Sequence, residues 1–210
     1  MKRAAYIFLL LVSAALLTTS CNQQAEDITL GQMERTVSFL TSTHTPRLIC
    51  EDDLADYPDD NTPPQFYSVF GRASYRYIVN YYDDGRDARP EVWRGCTITM
   101  TFAAYDFSAY RAPTLAQLYA TNDPALRDAM ANAGWTLDDD PFFAFEPVTV
   151  TLGKGELIRG VEMALEGCRE GDEVEIWSTS SLAYSGAYIG ILNKDIPVYW
   201  HIVINSVEQI

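Results

Sequence analysis

The stretch GKGELIRGVEMALEG, residues 153–167, joins a glycine-rich turn to a short helix-forming segment. Ile158, Val161 and Leu165 stand at positions i, i+3 and i+7, a spacing that places them on one face of a helix near residues 158–166. A helix this short buries its apolar face only against a larger neighbour, so the rest of the chain has to supply that neighbour.

Segments rich in β-branched and aromatic residues predict strands on both sides of this helix. They are SYRYIVNYY (74–82), TITMTF (97–102), PVTVTLG (147–153), EGDEVEIWST (170–179) and VYWHIVINSV (198–207). In the last segment Trp200, Ile202 and Ile204 alternate with their neighbours and share one side of the sheet. The pattern predicts an α+β fold in which an antiparallel β-sheet packs on a short α-helix.

Two further helices are indicated outside this sheet. Residues 26–44 carry apolar residues at helical spacing, which are Leu30, Met33, Val37 and Leu40. Asp123 as N-cap, Pro124 at the first position and Gly134 as stop signal predict a helix within the region 108–146. Residues 45–66 are rich in proline and acidic residues and are predicted to be loop. We interpret their acidic cluster as a solvated loop, since it lacks the spacing of a calcium site.

The N-terminus has the pattern of an export signal. Lys2 and Arg3 precede an apolar run from Tyr6 to Leu17, which is too short to span a bilayer comfortably. The residues before Cys21 resemble a bacterial lipobox, which predicts a signal peptide over residues 1–20 and lipidation of Cys21. A plain signal peptide or a shortened anchor helix are the alternatives. The expected location is the cell envelope, as a periplasm-facing or surface lipoprotein of the outer membrane.

The charge excludes one class of partner. The chain carries a formal net charge of −14, and loss of Lys2 and Arg3 with the signal would change this to −16. Such a chain is repelled by phosphate backbones, so we expect no nucleic-acid partner and a membrane contact made only by the lipid. Besides Cys21 the cysteines are Cys50, Cys96 and Cys168, which allow one disulfide or three separate thiols. Neither their spacing nor the two histidines indicates a metal site.

Four motifs in the C-terminal part resemble, in the right order, those of the FK506-binding-protein (FKBP) family of peptidyl-prolyl cis-trans isomerases. They are LGKGELIRGVEMAL (152–165), EGCREGDEVEI (166–176), SSLAYSG (180–186) and IPVYWHIVINSVE (196–208). RGCTITMTFAAYDFS (94–108) resembles an N-terminal family motif more loosely. Other phrases, such as LYATN and AGWTLDDD, resemble a lipoprotein subgroup from Bacteroidales-type bacteria. The resemblance implies an FKBP-like antiparallel sheet wrapped around a short α-helix, with a helical insertion and an N-terminal helix and loop extension.

The resemblance also divides the chain. Together with the export signal, which gives a signal peptide over 1–20 and a lipid-anchored extension over 21–66, it implies an FKBP-like domain over 67–210 with an insertion at about 108–146. It further implies a protein that needs no cofactor and binds proline-containing polypeptides, with FK506-like compounds as candidate ligands.

The family pattern assigns roles to individual residues. The Ile158 backbone N–H would bind the substrate carbonyl, the Tyr184 hydroxyl would be a second polar contact, and Asp106 is the nearest candidate for the family's pocket aspartate. The apolar pocket would be lined by Phe102, Val148, Leu157, Val161, Ile191 or Leu192, and Trp200. Val161 stands where the family has tryptophan, and Ser185 follows Tyr184 where the family has glycine.

These departures leave two functions open. The first is an exported, lipid-anchored isomerase that assists the folding of proline-containing proteins. The second is a catalytically weak or inactive FKBP-like module that binds proteins or acts as a chaperone. The retained Ile158, Tyr184 and Trp200 favour the first, and Val161 with the long insertion favours the second.

Overall fold

The computed structural model describes residues 23–57, 62–136, 143 and 145–209. Helices are α1 (23–42), α2 (Pro124–Asn132) and α3 (Arg159–Leu165). Strands are β1 (Ile49–Cys50), β2 (Phe66–Phe70), β3 (Ser74–Ile78), β4 (Thr97–Asp106), β5 (Leu118–Thr121), β6 (Val148–Thr151), β7 (Glu173–Ser178) and β8 (Val198–Glu208). The predicted signal peptide and Cys21 lie outside the described residues. Within the described ranges, no helix has the length and apolar character needed to cross a bilayer.

One mixed sheet organises the described chain. Its strand order is β1-β2-β3-β7-β8-β4-β5, and β6 pairs with β4 beside β5. Apart from the parallel pair of β1 and β2, the pairings are antiparallel. The longest ladder joins β4 to β8 from Thr97–Glu208 to Asp106–Val198, with a register shift at Thr99. The predicted α+β class with an antiparallel sheet is therefore confirmed.

Helix α3 covers one side of this sheet, as its apolar face predicts. Val161 and Leu165 have no exposed surface, and Ala164 lies between them in the same core. Trp200, Ile202 and Ile204 of β8 share this core, whereas Tyr199 belongs to a second core on the opposite side. The alternation predicted for the last strand is thus confirmed.

Helix α1 covers the other side of the sheet. Phe39 and Leu40 pack there in an aromatic-rich core with Tyr67, Tyr75, Tyr77, Phe107, Trp177 and Tyr199. The predicted helix is confirmed, but its predicted face is partly wrong, because Leu30 is 54% exposed. Gln32 and Thr36 are buried in its place, and both side chains form hydrogen bonds.

A buried polar group closes the C-terminal end of α1. His44 Nε2 lies 2.9 Å from Glu175 Oε2 on β7, and the hydroxyl of Tyr199 donates to Glu175 Oε1 at 2.7 Å. Burial alone lowers the pKa of His44, but its hydrogen bonds to Glu175 and to the Pro46 carbonyl outweigh burial, so the pKa is raised. The histidine therefore ties the extension to the central strands of the sheet.

The insertion contributes more than the helix that its sequence predicts. The α2 prediction is confirmed, since Asp123 caps the helix by accepting from the Ala125 N–H, and Gly134 has a left-handed φ of 83°. The insertion also supplies β5, which extends the sheet along β4. Cys50, Cys96 and Cys168 are free thiols in this structure, so of the two alternatives it contains separate thiols.

Candidate functional site

Helix α3 is held against β3 and β7 at very short range. A Cβ atom on Gly160 would overlap Ser178 Oγ, so only glycine permits this approach. The Ser74 hydroxyl donates to the Gly160 carbonyl at 3.0 Å and lies 2.8 Å from Ser178 Oγ. Arg76 Nη1 donates to the carbonyls of Ala164 and Glu166 and fixes the C-terminal end of α3. These contacts set the position of the residues that precede the helix.

The turn before α3 is tied to the helix itself. Gly153 and Gly155 have φ values of 88° and 74°, a left-handed conformation that glycine adopts without strain. Glu162 Oε1 accepts hydrogen bonds from the N–H groups of both glycines, at 3.3 and 2.9 Å. Glu162 thus holds the turn at Gly153 and Gly155 against the helix, and this orients Leu157 and Ile158, which lie between the turn and the helix.

Ile158 caps the N-terminal end of α3 in an extended conformation with φ −62° and ψ 144°. Its carbonyl accepts from the N–H groups of Val161 and Glu162, both at 3.0 Å. Its own N–H donates no hydrogen bond to any residue that the structure describes. The side chain is half-buried against the core that contains α3. Ile158 therefore presents a free backbone donor beside an apolar surface, as its predicted role requires.

Phe102 and Trp200 form an aromatic pair on the α3 side of the sheet. Their rings stack with centroids 4.9 Å apart and planes inclined by 17°. Trp200 is buried with 6% exposure, whereas Phe102 is half-buried. Phe102 lies on β4 and Trp200 on β8, and these two strands are directly hydrogen-bonded neighbours in the sheet. The pair forms a stacked aromatic surface on this side of the sheet, and its role in a substrate pocket stays a prediction.

The buried Asn122 fixes the backbone of Phe102 at a gap in the sheet. The first residue of β6 lies opposite Met100 and the last residue of β5 lies opposite Ala103, which leaves Phe102 without a strand partner on that edge. Asn122 Oδ1 accepts from the Phe102 N–H at 2.6 Å, and its Nδ2 donates to the Met100 carbonyl at 2.9 Å. The amide side chain thus replaces the missing ladder bonds, a role the sequence did not reveal.

Tyr184 lies on the segment that connects β7 to β8, half-buried against the same core. This segment is anchored to α1 through Gln32, whose Nε2 donates to the Asp195 carbonyl at 2.7 Å. Gln32 Oε1 accepts from the Ser180 N–H at 2.8 Å. Burial raises the pKa of Tyr184, while a hydrogen bond from Tyr119 acts in the opposite direction. Tyr184 is therefore a neutral hydrogen-bond donor at physiological pH.

Tyr119 is the site residue that the sequence interpretation missed. It comes from β5 of the insertion, is 3% exposed, and lies in the same core as Trp200. Its hydroxyl accepts from Trp200 Nε1 at 2.8 Å and lies 3.5 Å from the Tyr184 hydroxyl. No motif signals this contact, because it depends on how the insertion pairs with β4.

The structure gathers most of the predicted pocket residues into one core. Val161 and Leu192 are buried in it, and Val148 and Leu157 pack on it half-buried. Ile191, the alternative to Leu192 in the predicted pocket, is 61% exposed. Of this pair, Leu192 takes the buried position and Ile191 faces solvent. The half-buried side chains leave part of the apolar surface accessible to a ligand.

Asp106 lies at the end of β4 and serves a turn. Its Oδ1 accepts from the Ser108 N–H at 2.7 Å, and its carbonyl accepts from Gln117 Nε2 at 3.3 Å. Among the described residues its carboxylate forms no hydrogen bond with Tyr184 or Tyr119. The structure accounts for Asp106 as a turn residue, and a role in the pocket stays a prediction.

The chemistry of this site is that of a non-covalent binding surface. Its polar groups are a free backbone N–H at Ile158 and neutral tyrosine hydroxyls beside stacked aromatic rings. The described ranges contain no cluster of three or more His, Cys, Asp or Glu side chains that could hold a metal ion. Such a surface can bind and orient an apolar group that carries a carbonyl.

Comparisons with known proteins show which family part of the chain resembles. Residues 130–202, less than half of the chain, match the family model described as FKBP-type peptidyl-prolyl cis-trans isomerase. The match begins inside α2 and extends into β8, so it includes residues 153–167, Tyr184 and Trp200. This part of the chain is therefore similar to FKBP-type peptidyl-prolyl cis-trans isomerases, in agreement with the enzyme class that the sequence motifs predict.

Among solved structures, the chain is similar to the crystal structure of the three FKBP domains of wheat FKBP73. The identity is 10% and the TM-score 0.46, over 68% of this chain and 50% of that chain. This chain thus corresponds to half the length of that structure. No curated protein matches the chain.

Proposed function

We propose that this protein is an exported, lipid-anchored peptidyl-prolyl cis-trans isomerase of the FKBP type. The observation that carries the proposal is the grouping of the free Ile158 N–H and the Tyr184 hydroxyl around one core with the Phe102–Trp200 pair. Proline-containing polypeptides are the substrates that suit this surface, and FK506-like compounds are ligands with the same features.

The reaction is rotation about the bond between a residue and a following proline. The barrier to peptide rotation is about 18–20 kcal/mol, because the amide loses resonance as it twists. A twisted amide is less dipolar than a planar one, so transfer from water to an apolar aromatic surface costs the twisted form less free energy than the planar form, and the barrier falls. The stacked rings of Phe102 and Trp200 provide that surface for the proline ring.

The polar groups hold the substrate while it rotates. In this proposal the Ile158 N–H donates to a substrate carbonyl, and the Tyr184 hydroxyl donates to a second oxygen. Both are neutral donors, so neither transfers a proton and no covalent intermediate forms. A donor aimed at the carbonyl only in the twisted geometry lowers the barrier, whereas uniform binding would not.

Replacing Tyr184 with phenylalanine tests the proposed activity. We expect kcat/KM to fall about tenfold, because the loss of one hydrogen bond of about 1–1.5 kcal/mol from the transition state changes the rate by that factor. The measurement is a protease-coupled assay with a proline-containing peptide. Tyr188→Phe is the matched control, since Tyr188 lies on the same segment and is 67% exposed. Wild-type protein with no rate above the uncatalysed background would refute isomerase activity.

A protein-binding module is the second candidate function. Tyr188 and Ile191 are exposed apolar residues on the segment that carries Tyr184, and such residues suit contact with an unfolded chain. The isomerisation assay, combined with a binding measurement, separates the two functions. Binding of a permanently unfolded, proline-containing protein without isomerisation would favour the module, and acceleration of isomerisation would favour the enzyme.

Export and lipid anchoring rest on the sequence of the first 21 residues. We propose a periplasm-facing or surface lipoprotein in the outer membrane of a Bacteroidales-type bacterium, attached through Cys21. The expected result is incorporation of labelled palmitate into the wild-type protein and none into Cys21→Ser. Equal labelling of a Cys50→Ser control and wild type would confirm that the lipid is specific to Cys21. Absence of label from the wild type would reject the anchor.

A further inference from the structure

Tyr119 occupies an irregular position in β5. Ala104 on β4 pairs with Ala120 and the next residue, Tyr105, pairs with Leu118, so Tyr119 has no partner of its own on β4. This is a β-bulge, a feature that redirects a side chain relative to the regular alternation of a strand. The bulge allows the Tyr119 ring to lie in the α3-side core, whereas Leu118 belongs to the core around α2.

The hydrogen bonds around Tyr119 have only one consistent direction. The indole N–H of Trp200 is a donor and never an acceptor, so the Tyr119 oxygen accepts at 2.8 Å. Tyr119 is 3% exposed, and a buried hydroxyl proton requires an acceptor. Among the described residues the oxygen within reach is the Tyr184 hydroxyl at 3.5 Å. Tyr119 therefore donates and Tyr184 accepts.

We propose that Tyr119 is a positioning residue that directs the hydroxyl proton of Tyr184 toward the second oxygen of the substrate. Because the lone-pair side of the Tyr184 oxygen faces Tyr119, its own proton has to point away from Tyr119. The chain of donors then runs from Trp200 through Tyr119 to Tyr184 and ends on the substrate. This inference rests on the proposed isomerase function and assigns a role to the insertion within it.

The ring geometry and the protonation states agree with this direction. The Tyr119 and Tyr184 rings meet edge to face with centroids 6.0 Å apart, which fixes the relative orientation of the two hydroxyls. Burial raises the pKa of Tyr119 well above its ordinary value and also raises that of Tyr184, so both keep their protons at neutral pH. The 3.5 Å distance is long for a hydroxyl pair, and catalytic hydrogen bonds often shorten when substrate binds.

A double-mutant cycle tests the coupling in the full chain. We expect Tyr119→Phe to lower kcat/KM of peptide isomerisation about threefold to tenfold, the range for weakening one hydrogen bond. In the Tyr184→Phe background the same change should have almost no effect, because its target hydroxyl is gone. Tyr105→Phe is the matched control, since its half-buried ring lies in the cores opposite the site. Equal losses from Tyr119→Phe in both backgrounds, or no loss at all, would overturn the proposal.

A second measurement tests the hydrogen-bond relay from Trp200 through Tyr119 to Tyr184 separately from the proposed isomerase activity. The probe is 3,5-difluorotyrosine placed at position 184, whose lowered phenol pKa allows titration in the folded protein by fluorine NMR. Loss of the donor in Tyr119→Phe destabilises the phenolate, so the pKa of the probe should rise. An unchanged pKa would overturn the relay even in an active enzyme. If the wild-type protein is inactive but Tyr119→Phe still raises the pKa of the probe, the isomerase function is rejected and the hydrogen bond from Tyr119 to Tyr184 is retained.

Discussion

Replacing Asp172 with alanine is expected to lower the free energy of unfolding by about 3–5 kcal/mol, the cost of breaking a buried ion pair from one side. Asp172 has no exposed surface and precedes β7. Its two oxygens accept from Arg86 Nε at 2.9 Å and Arg86 Nη2 at 2.6 Å, and the Arg169 N–H donates at 2.8 Å. Arg86 is itself 7% exposed at its side chain, so the substitution leaves a buried cation without its counter-ion.

The ion pair matters because it joins two distant parts of the chain. Arg86 lies in the connection between β3 and β4, and Asp172 begins the hairpin of β7 and β8 that carries Tyr184. Arg89 adds a second guanidinium at 3.8 Å. Loss of the carboxylate thus places two positive charges together in a buried region.

Chemical denaturation with matched m-values measures this effect. Asp87→Ala is the control, because Asp87 lies 4.0 Å from the same arginine but is 95% exposed at its side chain, where an ion pair contributes about 0–1 kcal/mol. Asp172→Asn keeps the shape and should fall between the two. A loss from Asp172→Ala no larger than that of the control would contradict the role of the pair.

Local patterns predicted the elements that form the site, because those elements are set by short-range physics. The spacing of Ile158, Val161 and Leu165 predicted α3, and the alternation in the last strand predicted that Trp200 and the two isoleucines share one side of β8. A single segment contains all the information that these features require.

The missed residues depend on contacts between distant segments. Tyr119 enters the site only because β5 pairs with β4 through a bulge, and no local signal in the insertion sets that register. Asn122 replaces ladder bonds at a gap that exists only once β5 and β6 share an edge of β4. Long-range pairing of this kind lies beyond what periodicity can show.

Burial of polar side chains explains why the predicted buried face of helix α1 is partly wrong. An apolar stripe predicts which face of a helix is buried when the partner surface is apolar. Here the partner includes backbone groups at Ser180 and Asp195, so Gln32 is buried to bond them and Leu30 is left exposed. The amphipathic pattern also cannot indicate which side of the sheet a helix covers.

Position 161 is the site of the second substitution with a large expected effect on stability, because the family pattern has tryptophan where this chain has valine. The residue has no exposed surface and lies in the filled core with Trp200 and Tyr119. Those two aromatic side chains supply ring volume to that core, one from β8 and one from the insertion. Introducing the larger indole at position 161 would therefore require a rearrangement of the packed side chains.

We expect Val161→Trp to lower the free energy of unfolding by about 3 kcal/mol, at the upper end of the range for overpacking a well-filled core. The measurement is denaturant unfolding of the full chain, combined with titration of FK506 into the folded protein. Val148→Trp is the matched control for the unfolding measurement alone, since Val148 is half-buried at the edge of the same core and its larger replacement can extend into solvent. A Val161→Trp variant as stable as wild type, with gained FK506 affinity, would contradict this expectation. It would mean that the core retains room for the family's tryptophan and that Tyr119 and Trp200 do not occupy that space.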